Sequence, residues 1–245
     1  MNPTELNACI AANVNAVRQR IREAATRSGR SEEDVTLVAV TKYASTTDGI
    51  VAALRAAGCR DLGESRPQSL LEKAEFFGGE PTRWHLIGSL QRNKVRRILP
   101  LASLIHSVDS VRLAEAIDRI AAELSEEIGQ PIKPNCLLEI AISDDSTKHG
   151  FASDELPAVL DRLANFQNIS FRGLMGMSGL DADASEVRRQ FAALRCLAES
   201  LRRQGTPDNV SLGELSMGMS DDFEMAIEEG ATLVRIGSLL YSGTV

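Results

Sequence analysis

Leu37-Val38-Ala39-Val40-Thr41-Lys42 is a short apolar run that ends in an amine, and a helical pattern follows it over 47–57. An apolar run of this length, rich in β-branched residues and bounded by polar ones, reads as a buried strand. The same unit recurs along the chain. Further apolar runs lie at 59–62, 84–87, 104–108, 136–142, 171–175, 210–215 and 233–236, which with 35–40 makes eight. Helical patterns separate them at 68–77, 91–99, 111–128, 155–165, 184–204 and 221–229. An opening helix precedes the first run. Leu6, Ile10, Val14, Val17 and Ile21 mark its apolar face, Asn2 and Pro3 its start and Gly29 its end. Strands alternating with helices pair in parallel through right-handed crossovers. Eight of each is the count of an α/β protein of the (β/α)8 TIM-barrel type. A doubly wound open sheet is the alternative. It has fewer strands as a rule, and no G-x-G-x-x-G follows the first run. No linker divides residues 1–245, so one domain is expected.

Composition sets limits on function. The chain of 245 residues carries 27 Lys+Arg against 34 Asp+Glu, a net charge of −7. That balance argues against nucleic acid or an anionic membrane surface as a partner. No apolar run approaches the ~18 residues of a membrane span, and the amino terminus has no secretory pattern. The four cysteines, Cys9, Cys59, Cys136 and Cys196, are widely spaced and form no C-x-x-C. Cys59 and Cys136 sit in apolar surroundings and read as buried thiols, which fits a reducing cytoplasm.

In a barrel of this type the chemistry sits at the carboxyl ends of the strands. Lys42 stands at the first of these. Burial there would disfavour the ammonium and prepare a nucleophilic amine for imine formation, with a substrate carbonyl or with pyridoxal 5′-phosphate (PLP). Gly63-Glu64-Ser65, Gly88-Ser89, Ser107, Ser143, Ser178 and Ser216 follow at later strand ends. Ser107 and Ser143 read as caps of the next helices. Ser220 reads as a cap too, because the acidic Asp221-Asp222 after it would repel a phosphate. Gly237-Ser238 has no such neighbours and follows the eighth strand, where barrel phosphate sites recur. Arg235, flanked by apolar residues, needs an anion or an acceptor. An ion pair with Glu64 or Glu139 is one reading, and an acceptor on a ligand, such as the pyridine nitrogen of PLP, is the other. His85 and His106 read as hydrogen-bonded core histidines and His149 as an exposed one. Lys148 is a second candidate amine in a solvated setting. No spacing of His, Asp or Glu points to a metal.

These residues resemble the pyridoxal phosphate homeostasis proteins over nearly the whole chain. The resemblance rests on Val38-Ala39-Val40-Thr41-Lys42, Leu62-Gly63-Glu64, Trp84-His85-Leu86-Ile87-Gly88, Leu90-Gln91 with Asn93-Lys94, and Ile105-His106-Ser107-Val108-Asp109. It continues through Gly173-Leu174-Met175, Leu215-Ser216-Met217-Gly218-Met219-Ser220-Asp221-Asp222 and Val234-Arg235-Ile236-Gly237. It implies a single PLP-bearing barrel like the amino-terminal domain of alanine racemase. It implies that Lys42 holds the cofactor as an imine, that Arg235 faces the pyridine nitrogen, and that Ser216, Gly237 and Ser238 surround the phosphate. The 173–178 stretch, with Ser178, is expected on the same face, and Met217 is counted with it. Ser65 stands where the family usually has asparagine, Pro67 enters the next helix, and Ser89 stands where histidine is common.

The resemblance implies a non-catalytic PLP binder that buffers the cofactor or delivers it to apo PLP-dependent enzymes, acting as a monomer in the cytoplasm. Alanine racemase itself needs a second acid/base, supplied by an additional β domain, and no such domain is expected in this sequence. Two alternatives are carried forward. One is a weak amino-acid racemase using Lys42 with His85 or Tyr43 as second base. The other is an aldolase in which Lys42 forms an imine with a sugar phosphate.

Overall fold

The structure is a computed structural model and describes residues 1–77, 82–143, 149–179 and 181–244. The helix α1 (Pro3–Arg27) opens the chain, started by a reciprocal capping box between Asn2 and Glu5. Then follow β1 (Thr36–Val40), α2 (Ile50–Ala56), β2 (Asp61–Glu64), α3 (Pro67–Phe76), β3 (Arg83–Leu86) and α4 (Val95–Ile98). The second half runs β4 (Ala102–Val108), α5 (Val111–Ile128), β5 (Asn135–Glu139), α6 (Leu156–Leu163), β6 (Ser170–Met175), α7 (Ala184–Gln204), β7 (Val210–Ser216), α8 (Phe223–Glu228) and β8 (Leu233–Ile236). The strands pair in parallel in chain order, and β8 pairs with β1 to close the barrel. Closure rules out the open doubly wound sheet. No helix follows β8 in the described residues beyond the 3-10 turn Ser238–Tyr241. The opening helix takes that place in the outer ring and packs between α2 and α8.

Side-chain alternation divides the core in two. Between strands and helices lies the larger layer, to which Ala39, Leu62, Trp84, Leu86, Ile105, Leu174 and Ile236 contribute. Inside the barrel lies a small apolar cluster of Val38, Leu104, Leu137, Met175 and Leu233. The interior is otherwise polar. Positions in phase with that cluster include Asp61, His85, His106, Glu139 and Arg235, all buried.

Strand β7 changes phase partway. Val210 and Leu212 face the outer core, and so do Leu215 and Met217. The switch occurs at a register shift against β6, where Leu212 adopts φ +50°. Across it β7 advances four residues, Val210 to Glu214, while β6 advances two, and such a bulge re-aims the side chains beyond it. Glu214 and Ser216 therefore point inward. Next to the bulge a Cβ on Gly173 would lie 1.8 Å from the Glu214 carbonyl oxygen, so only glycine lets β6 and β7 approach there.

Two expected caps do other work. Ser107 donates to the Gly88 carbonyl at 2.7 Å, and Ser110 caps α5 instead. Ser143 lies well before α6, and its buried hydroxyl has no hydrogen-bond partner among the described residues. His85 and His106 are buried and hydrogen-bonded, as expected of core histidines. Cys59 and Cys136 are buried thiols. Lys148 lies outside the described residues.

Candidate functional site at the carboxyl-terminal mouth

Strand β1 ends at Val40, and Lys42 emerges two residues later, exposed at the mouth. The expected burial of this amine does not occur, because Thr41 takes the buried position instead. Thr41 donates its backbone N–H to the Gly63 carbonyl at 2.9 Å, and its hydroxyl bonds the Glu64 carboxylate. The Lys42 ammonium stands 4.8 Å from the ring centroid of the exposed Tyr43. Tyr241, in the turn after β8, donates its hydroxyl to the Val40 carbonyl and fastens the end of β1. Burial raises the Tyr241 phenol, so it stays a neutral donor.

The buried lysine is a different one. Lys73 of α3 pairs with Glu64 and donates to the Thr41 carbonyl at 2.6 Å, with both charged side chains almost fully enclosed. No sequence pattern announces this pair. Only the packing of α3 on β1 and β2 encloses Lys73.

Arg235 projects from β8 into the barrel and is 5% exposed. It donates from one nitrogen to Ser216 Oγ at 2.6 Å and from the other to the Gly176 carbonyl at 3.1 Å. Among the described residues no carboxylate lies within ion-pair distance of it, so neither Glu64 nor Glu139 is its partner. Burial pushes its pKa down to about 10, against the fields of Asp222 and Glu139. Burial also raises the Glu139 carboxyl, and Asp109 adds to that. A buried guanidinium without a counter-ion is costly unless acceptors satisfy its donors.

The other expected residues divide. Ser216 is not at the rim. It lies beneath Arg235, with its oxygen 2.8 Å from His106 Nδ1, because the β7 bulge turns it inward. Met217 is completely buried and its side chain packs in the outer core. Ser178 is buried and donates to Asp222 at 2.6 Å. Gly237 and Ser238 do lie at the mouth, at the end of β8, with Ser238 exposed. Ser220 is no helix cap, since α8 starts at Phe223. Its hydroxyl instead accepts a long bond of 3.4 Å from the Gly237 N–H. Ser220 thus joins Gly237 at the rim, a placement missed because the acidic neighbours pointed to a helix start. Asp222 faces Ser178 and accepts from the Met219 N–H at 2.6 Å.

The mouth therefore gathers an exposed primary amine, a buried guanidinium, and a backbone N–H beside two hydroxyls. Residues 12–245 match the family model described as the alanine racemase N-terminal domain, so the chain is a barrel of that class. Proteins named pyridoxal phosphate homeostasis protein are similar over almost their whole length. The one from Pseudomonas aeruginosa is 39% identical, covering 95% of this chain and 94% of its own. The one from Escherichia coli is 37% identical, covering 95% of each. The chain belongs to the family of pyridoxal phosphate homeostasis proteins. Among solved structures, PipY of Synechococcus elongatus is 35% identical, with coverage of 95% of this chain and all of the other. Its TM-score is 0.82 without PLP and 0.79 with PLP bound. Alanine racemase of Clostridium difficile is 17% identical with a TM-score of 0.74, and shares the fold. This chain spans 56% of that enzyme's length. Among the described residues no cluster suits a metal ion, and no helix is long and apolar enough to cross a membrane.

Proposed function

We propose that the protein holds PLP reversibly at the carboxyl-terminal mouth of the barrel, with Lys42 as its anchor, and stores or delivers the cofactor without catalysing a reaction on it. The observation that carries this reading is Arg235. It is an interior cation bonded to a hydroxyl and a carbonyl, with no carboxylate in ion-pair reach among the described residues.

The residues present suit PLP in kind and in number. When bound, PLP supplies an aldehyde that condenses reversibly with a primary amine and a pyridine nitrogen that accepts a hydrogen bond. Lys42 offers the amine, exposed where β1 opens onto the mouth. Arg235 would supply a donor for the ring nitrogen, and because a guanidinium keeps its own proton the ring would be a weak electron sink. The Gly237 N–H, which makes a long bond to Ser220, and the Ser220 and Ser238 hydroxyls would hold the phosphate. Ser178 orders Asp222 rather than touching the phosphate directly.

Neither candidate for a second base stands opposite Lys42 across the mouth. His85 lines a cavity at the amino-terminal end of the barrel, and Tyr43 sits beside Lys42 on the same loop. A reversible tether that neither of these two candidate bases opposes suits a carrier, and the names of the relatives agree with that role. Reversibility lets the protein pass PLP to apo PLP-dependent enzymes. A monomer suffices for this, and the four free thiols suit the cytoplasm.

The test is a visible spectrum of the purified protein with PLP, before and after borohydride, followed by peptide mapping. Imine absorption that borohydride removes, with the label on Lys42, is the expected outcome. A label on another lysine overturns the anchor. Protein that stays colourless with PLP returns the amine to a sugar-phosphate carbonyl. Exchange of the α-proton of alanine or serine in deuterated water above the free-PLP rate overturns the non-catalytic role.

A further inference from the structure

Between the Arg235 guanidinium and the opposite end of the barrel runs an unbroken line of polar contacts. Arg235 donates to Ser216 Oγ at 2.6 Å, and Ser216 Oγ is 2.8 Å from His106 Nδ1. His106 Nε2 is 2.9 Å from His85 Nδ1, and His85 Nε2 is 3.0 Å from Asp61 Oδ1. Arg83 closes the line with two bonds of 2.6 Å to the Asp61 carboxylate. Here the barrel opens into a cavity of about 580 Å³ lined by Asp34, Asp61, Arg83, His85, Arg172 and Glu214, among others.

The two ends fix the direction of every bond between them. A guanidinium only donates and a carboxylate only accepts. With both imidazoles neutral, His85 must carry its hydrogen on Nε2 to meet Asp61, which leaves Nδ1 as an acceptor. His106 must then carry its hydrogen on Nε2, and its Nδ1 accepts from the Ser216 hydroxyl. No other neutral arrangement satisfies all four contacts.

Placed on His85, one further proton permits the reverse arrangement and only that one. A second hydrogen on His85, at Nδ1, needs an acceptor, so His106 must shift its hydrogen from Nε2 to Nδ1. That hydrogen then points at Ser216 Oγ, which accepts from His106 and Arg235 together and must turn its own hydrogen away. We propose that His85 and His106 form a two-state proton relay, in which one proton taken from water and held on His85 against Asp61 reverses the chain and turns the Ser216 hydroxyl beneath Arg235. The end state has one more N–H bond, on His85, and the donating water is left one proton poorer.

Geometry assigns the added proton to His85, the imidazole that touches a carboxylate. Asp61 of β2 touches it, and Glu214 of β7 acts on it across the cavity, with Arg83 and Arg172 as the opposing cations nearby. His106 lies at the other end, wholly buried, where burial first and then His85 and Arg235 keep it from charging. Asp222 and Glu139 act on Arg235. The consequence for PLP, a changed donor pattern under the ring-facing guanidinium, rests on the function proposed above. The relay itself does not.

The test uses the apo protein labelled with 15N-histidine, read by NMR between pH 8 and pH 5, with His149 assigned through His149→Gln. At the high end both His85 and His106 should carry hydrogen on Nε2 alone. On acidification His85 should gain a second hydrogen while His106 moves its single one to Nδ1, with a shared midpoint. In His85→Gln the amide keeps the direction of the chain, donating to Asp61 and accepting from His106, so His106 should stay on Nε2 throughout. In Asp61→Asn the midpoint should fall by about one pH unit or more, a roughly tenfold loss of proton affinity. His106 that keeps its Nε2 hydrogen while His85 is doubly protonated overturns the relay. So does His106 switching in His85→Gln, or unfolding before His85 takes its second proton. Because PLP is absent, these outcomes are independent of whether Lys42 binds it.

Discussion

Arg235 and Ser216 meet across 2.6 Å inside the barrel, a cation and a hydroxyl on adjacent strands where a barrel of this type usually packs branched aliphatics. Removing the hydroxyl leaves one Arg235 donor and His106 Nδ1 unsatisfied in a buried setting. Ser216→Ala should cost about 1–3 kcal/mol of stability, read as a lower urea midpoint at neutral pH. An unchanged midpoint would show that neither group depends on Ser216.

Lys42 and Arg235 should separate covalent from non-covalent holding of PLP. Lys42→Ala keeps weak PLP binding through the rim but loses the imine absorption entirely. Arg235→Glu retains Lys42 and should shift both the absorption band and its pH titration. A titration identical to that of the unaltered protein would remove Arg235 from the ring.

Lys73 and Glu64 are enclosed together, and truncating one strands the other. Lys73→Met should destabilise the protein by about 3–5 kcal/mol, because it leaves a buried carboxylate unpaired. Adding Glu64→Leu should restore most of the loss. Denaturant melts of the single and double variants measure both, and a double variant as unstable as the single would contradict the pairing.

Asp61 sets part of the acid stability. Burial raises its pKa, but bonds from Arg83 and His85 outweigh burial and hold it at about 2, against an ordinary 3.8. A carboxyl depressed on folding stabilises the native state above its ordinary pKa, and that stability is lost as pH falls through the folded value. Unfolding free energy should therefore decline between about pH 4 and pH 2 through this group. Asp61→Asn should flatten that limb of the curve.

The four thiols should react in order of exposure. Cys196 is exposed on α7, whereas Cys136 is buried and Cys59 is pushed up to about 11 by burial. A thiol reagent should modify Cys196 first in native protein and reach Cys59 and Cys136 only on unfolding. Rapid native labelling of Cys136 would mean that the barrel opens on the reagent's timescale.

Alternating apolar runs and helical patterns determined the closed barrel from the sequence alone, because strand and helix periods are local and eight units leave little other topology. The same order of elements placed Lys42, Gly237 and Ser238 at the carboxyl-terminal mouth. Burial and direction were another matter. Lys42 looked buried and is exposed, since Thr41 occupies the enclosed position and bonds Glu64. Lys73, for which the sequence offers no signal, is buried, since α3 folds it onto the end of β1. Ser216 and Met217 looked alike. A bulge at Leu212 then reversed the phase of β7, so that Ser216 entered the barrel and Met217 the outer core. A one-residue change of register exchanges the two faces of a strand, and the apolar pattern of one chain segment does not record it. The line from Arg235 to Asp61 joins β2, β3, β4, β7 and β8. Its members share no sequence spacing, and only closure of the barrel brings them within hydrogen-bond reach.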